Sequence, residues 1–342
     1  MNYSGINAKI RAMKGFLFTL EQYEELAKNS SMFEIALKLR QQQMYKRAIS
    51  GLDDATAKRF SIEQKIILSL TYEYERIYQF ISDFRLKGLL DAYYLKHEIH
   101  LINTMLCSVY DKRSINYSES ELSHMIGKKF QIDTVKLKES KNLEEFINNL
   151  NATRFYSVLS KVSKENKIPA QFEMQLDLYY YMNLWKVKNK LDKVNNLIVT
   201  KIIGTEIDLR NIIWIYRLKK YYKVEEFNIY AYLIPISYQL QNFELKKMVE
   251  SKSIYELTSS ISSCKYKDEF NDVLLHDSRI EAVFFYKMSK LLKKLEAQYP
   301  NSLVTAISYI YHKEVEIKNL ISLIEGVKYK LEAKEIMKHL IL

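Results

Sequence analysis

Three copies of one short pattern at a fixed interval constrain this chain more than any other feature. Glu98-Ile99-His100-Leu101-Ile102-Asn103, Glu206-Ile207-Asp208-Leu209-Arg210-Asn211 and Glu314-Val315-Glu316-Ile317-Lys318-Asn319 put evenly spaced glutamates at positions 98, 206 and 314. Self-similarity at a constant period is the mark of a repeat architecture. A second register agrees with it. Ser31 with Glu34, Asn142 with Glu145, and Ser253 with Glu256 each read as a capping box, and these too are evenly spaced, at a slightly longer step. Each has a side chain able to accept the N3 amide, a glutamate three residues on, and apolar residues at the next helical positions: Ile35 and Leu39, Phe146 and Leu150, Leu257 and Ile261. Glu63, Glu173 and Glu281 form a third, looser register, each opening a Tyr-rich amphipathic segment. The registers predict three similar helical domains: 1–115 with an N-terminal lead-in, 116–224, and 225–342.

Composition selects the fold class. Only 7 glycines and 3 prolines occur in 342 residues, too few for strand-rich folds or nucleotide-binding turns, whereas helices avoid both residues. The expectation is an all-α protein. Cys107 and Cys264 lack C-x-x-C spacing, which argues against a disulfide framework or zinc site and for a reducing compartment. Apolar runs such as Ile212-Ile213-Trp214-Ile215-Tyr216 are too short to span a bilayer, and Lys9, Arg11 and Lys14 interrupt any signal-peptide core. The formal charge of +11 is concentrated at Lys186 to Lys193, Arg217 to Lys223 and Lys287 to Lys294. Charge of this sign suits nucleic acid, anionic headgroups or an acidic protein face equally.

Long helices are expected from about 61 to 84, 172 to 190 and 279 to 299, with Pro169 marking a helix start. The signature helices should run from about 89 to 107, to near 222, and from beyond Pro300 almost to Leu342. A Ser-rich loop at 111–120 and an Asp-rich turn at 271–277 interrupt them. On a helical wheel the signature glutamates share a side with the aliphatics at +3 and +7, while Asn103, Asn211 and Asn319 at +5 have apolar neighbours on another. A helix apolar on two sides is central, and its polar groups must find partners. Glu98, Glu206, Glu314 and the three asparagines are therefore read as structural clamps to neighbouring backbone. The +2 position, held by His100, Asp208 and Glu316, reads as exposed and polar.

Catalytic motifs are missing: there is no Walker loop, G-x-G-x-x-G, G-x-S-x-G or H-E-x-x-H. His97 and His100 have metal-compatible helical spacing but no third ligand, and neighbouring carboxylates such as Glu24-Glu25 or Glu225-Glu226 point in different directions. No catalytic, cofactor or metal residue is predicted. The 27 tyrosines, most at helical spacing with Leu and Ile, as in Leu178-Tyr179-Tyr180-Tyr181, read as core.

With the repeats laid out, the chain resembles the C subunits of bacterial and archaeal V/A-type ATPases, relatives of the d subunit of eukaryotic vacuolar ATPases. The likeness covers nearly the whole length. It rests on Ala8-Lys9-Ile10-Arg11-Ala12-Met13, similar to the family's opening A-R-[IV]-R-A-M, on the capped Ser-x-x-Glu helices, and on the signature best kept at Glu206 to Asn211. Lys9 replaces the usual Arg, and His100 and Ile102 depart from the signature. The resemblance implies a pseudo-threefold funnel of three helical domains on the cytoplasmic face of a membrane. One copy, monomeric when isolated, would receive the D- and F-type central shaft subunits and sit on the proteolipid rotor ring. It would carry no catalysis, only torque between ATP turnover and H+ or Na+ transport, and would bind no nucleic acid. A basic helical-repeat scaffold binding nucleic acid along a charged groove is the alternative.

Overall fold

In the computed structural model the described residues are 3–50, 52, 58–113, 133–162, 169–270 and 280–342, and among them every regular element is helical. The Ser-rich loop beyond Arg113 and the Asp-rich turn at 271–277 lie outside the described residues. By its contacts the chain divides into two compact units, one of residues 1–87 with 285–342 and the other of residues 88–284.

The first unit joins the two ends of the sequence. It holds α1 (Ser4–Lys14), α2 (Leu20–Ala27), α3 (Met32–Gln41), α4 (Gln43–Ile49) and α5 (Arg59–Gln79). The second unit takes most of α6 (Phe84–Tyr110), then α7 (Thr134–Glu139), α8 (Leu143–Asn148), α9 (Tyr156–Val162), α10 (Pro169–Lys188) and α11 (Lys193–Lys220). It continues through α12 (Glu226–Ile229), a 3-10 turn at Tyr230–Tyr232, α13 (Asn242–Val249), α14 (Ile254–Ile261) and α15 (Lys267–Phe270). The chain re-enters the first unit within α16 (Ile280–Gln298) and ends with α17 (Val304–Lys328) and α18 (Ala333–Lys338).

Local sequence explains where the capped helices start. The Ser31 hydroxyl, the Asn142 side chain and the Ser253 hydroxyl accept the amides of Glu34, Glu145 and Glu256 at 3.3, 2.9 and 3.1 Å. The glutamates do not return to the cap residue, as a standard capping box has it. Each reaches one residue further back, to the amide of Ser30, Lys141 or Lys252 at 2.9, 2.9 and 2.7 Å. The apolar residues behind them, Ile35, Leu39, Phe146, Leu150, Leu257 and Ile261, are all fully buried.

Each unit is organised around a signature helix. In the second, α11 packs against α10, α13 and α14, and it is buried without a break from Ile202 to Leu209 and from Asn211 to Tyr216. In the first, α17 packs against α1, α2, α3, α5 and α18. Burial on nearly every side of a helix places it centrally.

The last signature helix departs from expectation, stopping at Lys328 rather than continuing to Leu342. Lys330 adopts φ 57°, and the amides of Leu331 and Lys330 return to the carbonyls of Gly326 and Val327, both at 3.0 Å. That is a Schellman stop with lysine in the place glycine usually takes. Lys112 and Lys223, just beyond α6 and α11, take the same left-handed conformation. All three signature helices are therefore followed, within three residues, by a lysine in the left-handed conformation.

Candidate functional site: buried polar latches on the signature helices

On α11 the polar positions two and five residues beyond Glu206 grip the chain that follows. Asp208 Oδ1 accepts the Tyr238 amide at 3.2 Å, and Oδ2 accepts the amides of Gln239 and Leu240 at 2.7 and 3.0 Å. The Tyr266 hydroxyl donates to the same Oδ2 at 2.8 Å. One turn on, Asn211 holds a single residue in both directions: its Nδ2 donates to the Ile234 carbonyl at 3.0 Å, and the Ile234 amide donates to its Oδ1 at 2.9 Å. Gly204, one turn before Asp208, admits the strand of chain between these anchors. A Cβ there would lie 2.4 Å from the Tyr238 ring.

On α17 the same positions do the same work. Asn319 Nδ2 donates to the Ile341 carbonyl and its Oδ1 accepts the Ile341 amide, both at 2.8 Å. Glu316 accepts the Phe18 amide at 2.6 Å and the Tyr45 hydroxyl at 2.6 Å. Its partners lie at the other end of the sequence, yet two of them occupy nearly the same repeat positions as two partners of Asp208. Phe18 precedes Leu240 by the same interval as Ser31 precedes Ser253, and Tyr45 precedes Tyr266 by one position fewer. Beside Glu316, Lys313 is fully buried, donates to Glu316 Oε1 at 2.6 Å, and lies 3.8 Å from the centre of the Tyr45 ring. Glu73 from α5 accepts the Tyr309 hydroxyl at 2.7 Å, with Arg76 at 3.5 Å.

These contacts correct the reading of the +2 position. Asp208 and Glu316 are 1% and 3% exposed, and only His100 faces solvent. Alternation between Asp and Glu reflects reach toward different partners rather than the tolerance of a wet surface. The signature glutamates themselves differ. Glu98 is buried and receives Arg154 Nη2 at 2.6 Å. Glu206 joins Asp177, Arg210 and Lys96 in the electrostatic surroundings of Tyr181, while Glu314 is half-buried. Asn103 on α6 is half-buried, and the positions beyond it that correspond to Ile234 and Ile341 lie outside the described residues.

Burial governs the electrostatics. It lifts the carboxyls of Asp208 and Glu73 above the usual range, against the pull of the donors they accept. The Tyr45, Tyr266 and Tyr309 hydroxyls are raised by burial and by the carboxylates they donate to. Tyr181 is pushed up to about 12, chiefly by burial. Tyr45, Tyr266 and Tyr309 therefore serve as neutral donors at physiological pH.

Among the described residues no group of three metal-ligating side chains occurs, and no helix is long and apolar enough to cross a membrane. What the latches can do is mechanical: each carboxylate or amide ties two segments distant in sequence with fixed, directional bonds. Tyr45 and Tyr266 are inconspicuous among the 27 tyrosines of the chain. Their nearly equal offsets from Ser31 and Ser253 are what sets them apart.

The family model described as ATP synthase (C/AC39) subunit matches residues 6–339. Similar proteins include the C subunit of the A-type ATP synthase of Methanosphaera stadtmanae, 27% identical over 93% of this chain and 82% of the relative. The corresponding protein of Methanococcoides burtonii is 26% identical over 100% of this chain and 94% of its own. That of Pyrococcus horikoshii is 27% identical, with 98% and 89% covered.

Proposed function

The chain belongs to the ATP synthase (C/AC39) subunit family, whose members are structural rather than catalytic parts of a rotary ATPase, and we propose that it is the socket of the rotor. In this reading it receives the D- and F-type central shaft subunits and rests on the proteolipid ring at the cytoplasmic face. It passes torque between ATP turnover in the catalytic head and movement of H+ or Na+ through the membrane. The observation that carries the reading is the family match over almost the entire chain. The three repeats would form three similar domains about a pseudo-threefold axis. The matching partners of Asp208 and Glu316 support that arrangement, since one latch geometry serves two repeats. A torque-bearing part must resist shear, and buried, directional side-chain to backbone bonds resist it better than apolar contact alone.

A pull-down with the tagged chain from native membranes tests the reading. Co-purification of catalytic head, shaft and proteolipid is the expected result. Recovery of nucleic acid without those subunits would favour the basic-scaffold alternative instead.

A further inference from the structure

The turn joining α10 and α11 carries a combination of residues that the latches do not use. Residues 182–201 contain five lysines, Lys186, Lys188, Lys190, Lys193 and Lys201, against one acid, Asp192. Asp192 is already committed, capping α11 through the amides of Val194 and Asn195 at 3.2 and 3.1 Å. Asn196 Nδ2 donates to the Lys188 carbonyl at 2.9 Å, closing the end of α10, and Leu191 is buried beneath the turn. These bonds and the buried Leu191 tie the turn to both helices.

Its outer surface is both basic and apolar. Val194 and Leu197, one turn apart on α11, are 50% and 48% exposed, and Met182 on α10 is 44% exposed. Lys186, Lys190 and Lys193, in the same hairpin, are exposed as well. Trp185 is half-buried, with the Lys188 ammonium 4.0 Å from its ring centre. On the helical wheel Val194, Leu197 and Lys201 share a side of α11, and Met182 and Lys186 share a side of α10.

We infer that this α10–α11 turn is a docking surface for an anionic lipid bilayer. A bilayer surface accepts both halves of the pattern at once: the apolar side chains enter the headgroup boundary while the lysine ammonium groups stay among the phosphates. A nucleic acid would satisfy the lysines and leave Val194, Leu197 and Met182 in water. The turn also lacks arginine, the residue suited to bidentate phosphate contact. The inference does not depend on the rotor reading, because it concerns the chain alone against lipid.

The test is flotation of the full chain with vesicles of phosphatidylcholine alone, or mixed with phosphatidylglycerol, while the emission of Trp185 is followed in a Trp214→Phe background. Binding to the mixed vesicles only, weakened by salt and with a blue shift, is the expected result. Replacing Lys186, Lys190 and Lys193 together with Gln should weaken it by on the order of a hundredfold, at about fivefold per lysine. Leu197→Ser should weaken it by about tenfold. All four positions are exposed, so unchanged circular dichroism melting is required of both variants. Equal binding to neutral vesicles, or indifference to the lysine triple variant, overturns the inference. So does binding to a DNA duplex that is tighter than to vesicles and unaffected by Leu197→Ser. A pull-down that fails to recover the ATPase would leave this result standing, and lipid binding that fails would leave the family role standing.

Discussion

Asp208 in the second unit and Glu316 in the first occupy one repeat position and solve one problem with different chemistry. Asp208 is short and lies against chain that follows 30 to 32 residues later, so three consecutive backbone amides and the Tyr266 hydroxyl surround it. Glu316 must hold chain from the opposite end of the sequence, 298 residues away at Phe18, and it meets only one backbone amide with the Tyr45 hydroxyl. The missing donors are replaced by Lys313, buried completely and bonded at 2.6 Å. A buried carboxylate must be compensated, and backbone dipoles and a counter-charge are alternative ways of doing so.

The comparison predicts unequal sensitivity to neutralisation. Glu316→Gln leaves the buried Lys313 charge without the carboxylate it donates to, with Glu73 its remaining acidic neighbour, and should cost about 3–5 kcal/mol of stability. Urea unfolding measures it. Adding Lys313→Met should recover most of that loss, since two neutral groups replace the pair. No recovery in the double variant would mean that the ion pair is not what Glu316 provides.

Asp208→Asn abandons no buried cation, but turns one acceptor oxygen into a donor; with the amide oxygen kept where Gln239, Leu240 and Tyr266 donate, the new NH2 faces the Tyr238 amide. We expect about 2–3 kcal/mol, less than for Glu316→Gln. A larger loss at Asp208 than at Glu316 would reverse the ranking of backbone and ion-pair compensation.

The asparagine clamps should be alike where the carboxylates differ. Asn211→Leu and Asn319→Leu each strand one amide and one carbonyl, at Ile234 and Ile341, and should each cost about 1–3 kcal/mol. Because the clamps carry no chemistry, ATP-driven pumping by reassembled complex at permissive temperature should stay near normal. Normal melting with uncoupled hydrolysis would instead mark Asn211 as a contact with shaft or ring.

The smallest effect concerns pH. Burial raises the folded-state pKa of Glu73 above its unfolded value, so between the two values the folded state binds more protons. Its contribution to stability is therefore greatest below the unfolded pKa of about 4.3 and declines as pH rises through the raised folded value. Glu73→Gln keeps an acceptor for the Tyr309 hydroxyl and removes the titration. The variant should melt no lower than the parent at neutral pH and show a flatter pH dependence on the acidic side. A variant less stable than the parent at neutral pH would show that the Glu73 charge is needed by Arg76 and Lys313.

What is legible in the sequence is what depends on neighbours along the chain. The helical class follows from the scarcity of glycine and proline, and the starts of α3, α8 and α14 follow from a cap and a glutamate three residues apart, because an N-cap bond spans one turn. The central place of α11 and α17 follows from apolar residues on two sides of their wheels. Tertiary structure alone decided the rest. Nothing within one turn of Asp208 or Glu316 reveals that amides from remote segments will enclose them, and a carboxylate in sequence looks the same wet or buried. The stop of α17 at Lys328 was hidden for a related reason: lysine is a good helix former, and only the bond from Leu331 back to Gly326 turns it into a terminator. The two-unit division, with residues 1–87 and 285–342 in one body, likewise follows from which segments pack together, as α1 and α5 do on α17, a matter of partners in space rather than order along the chain.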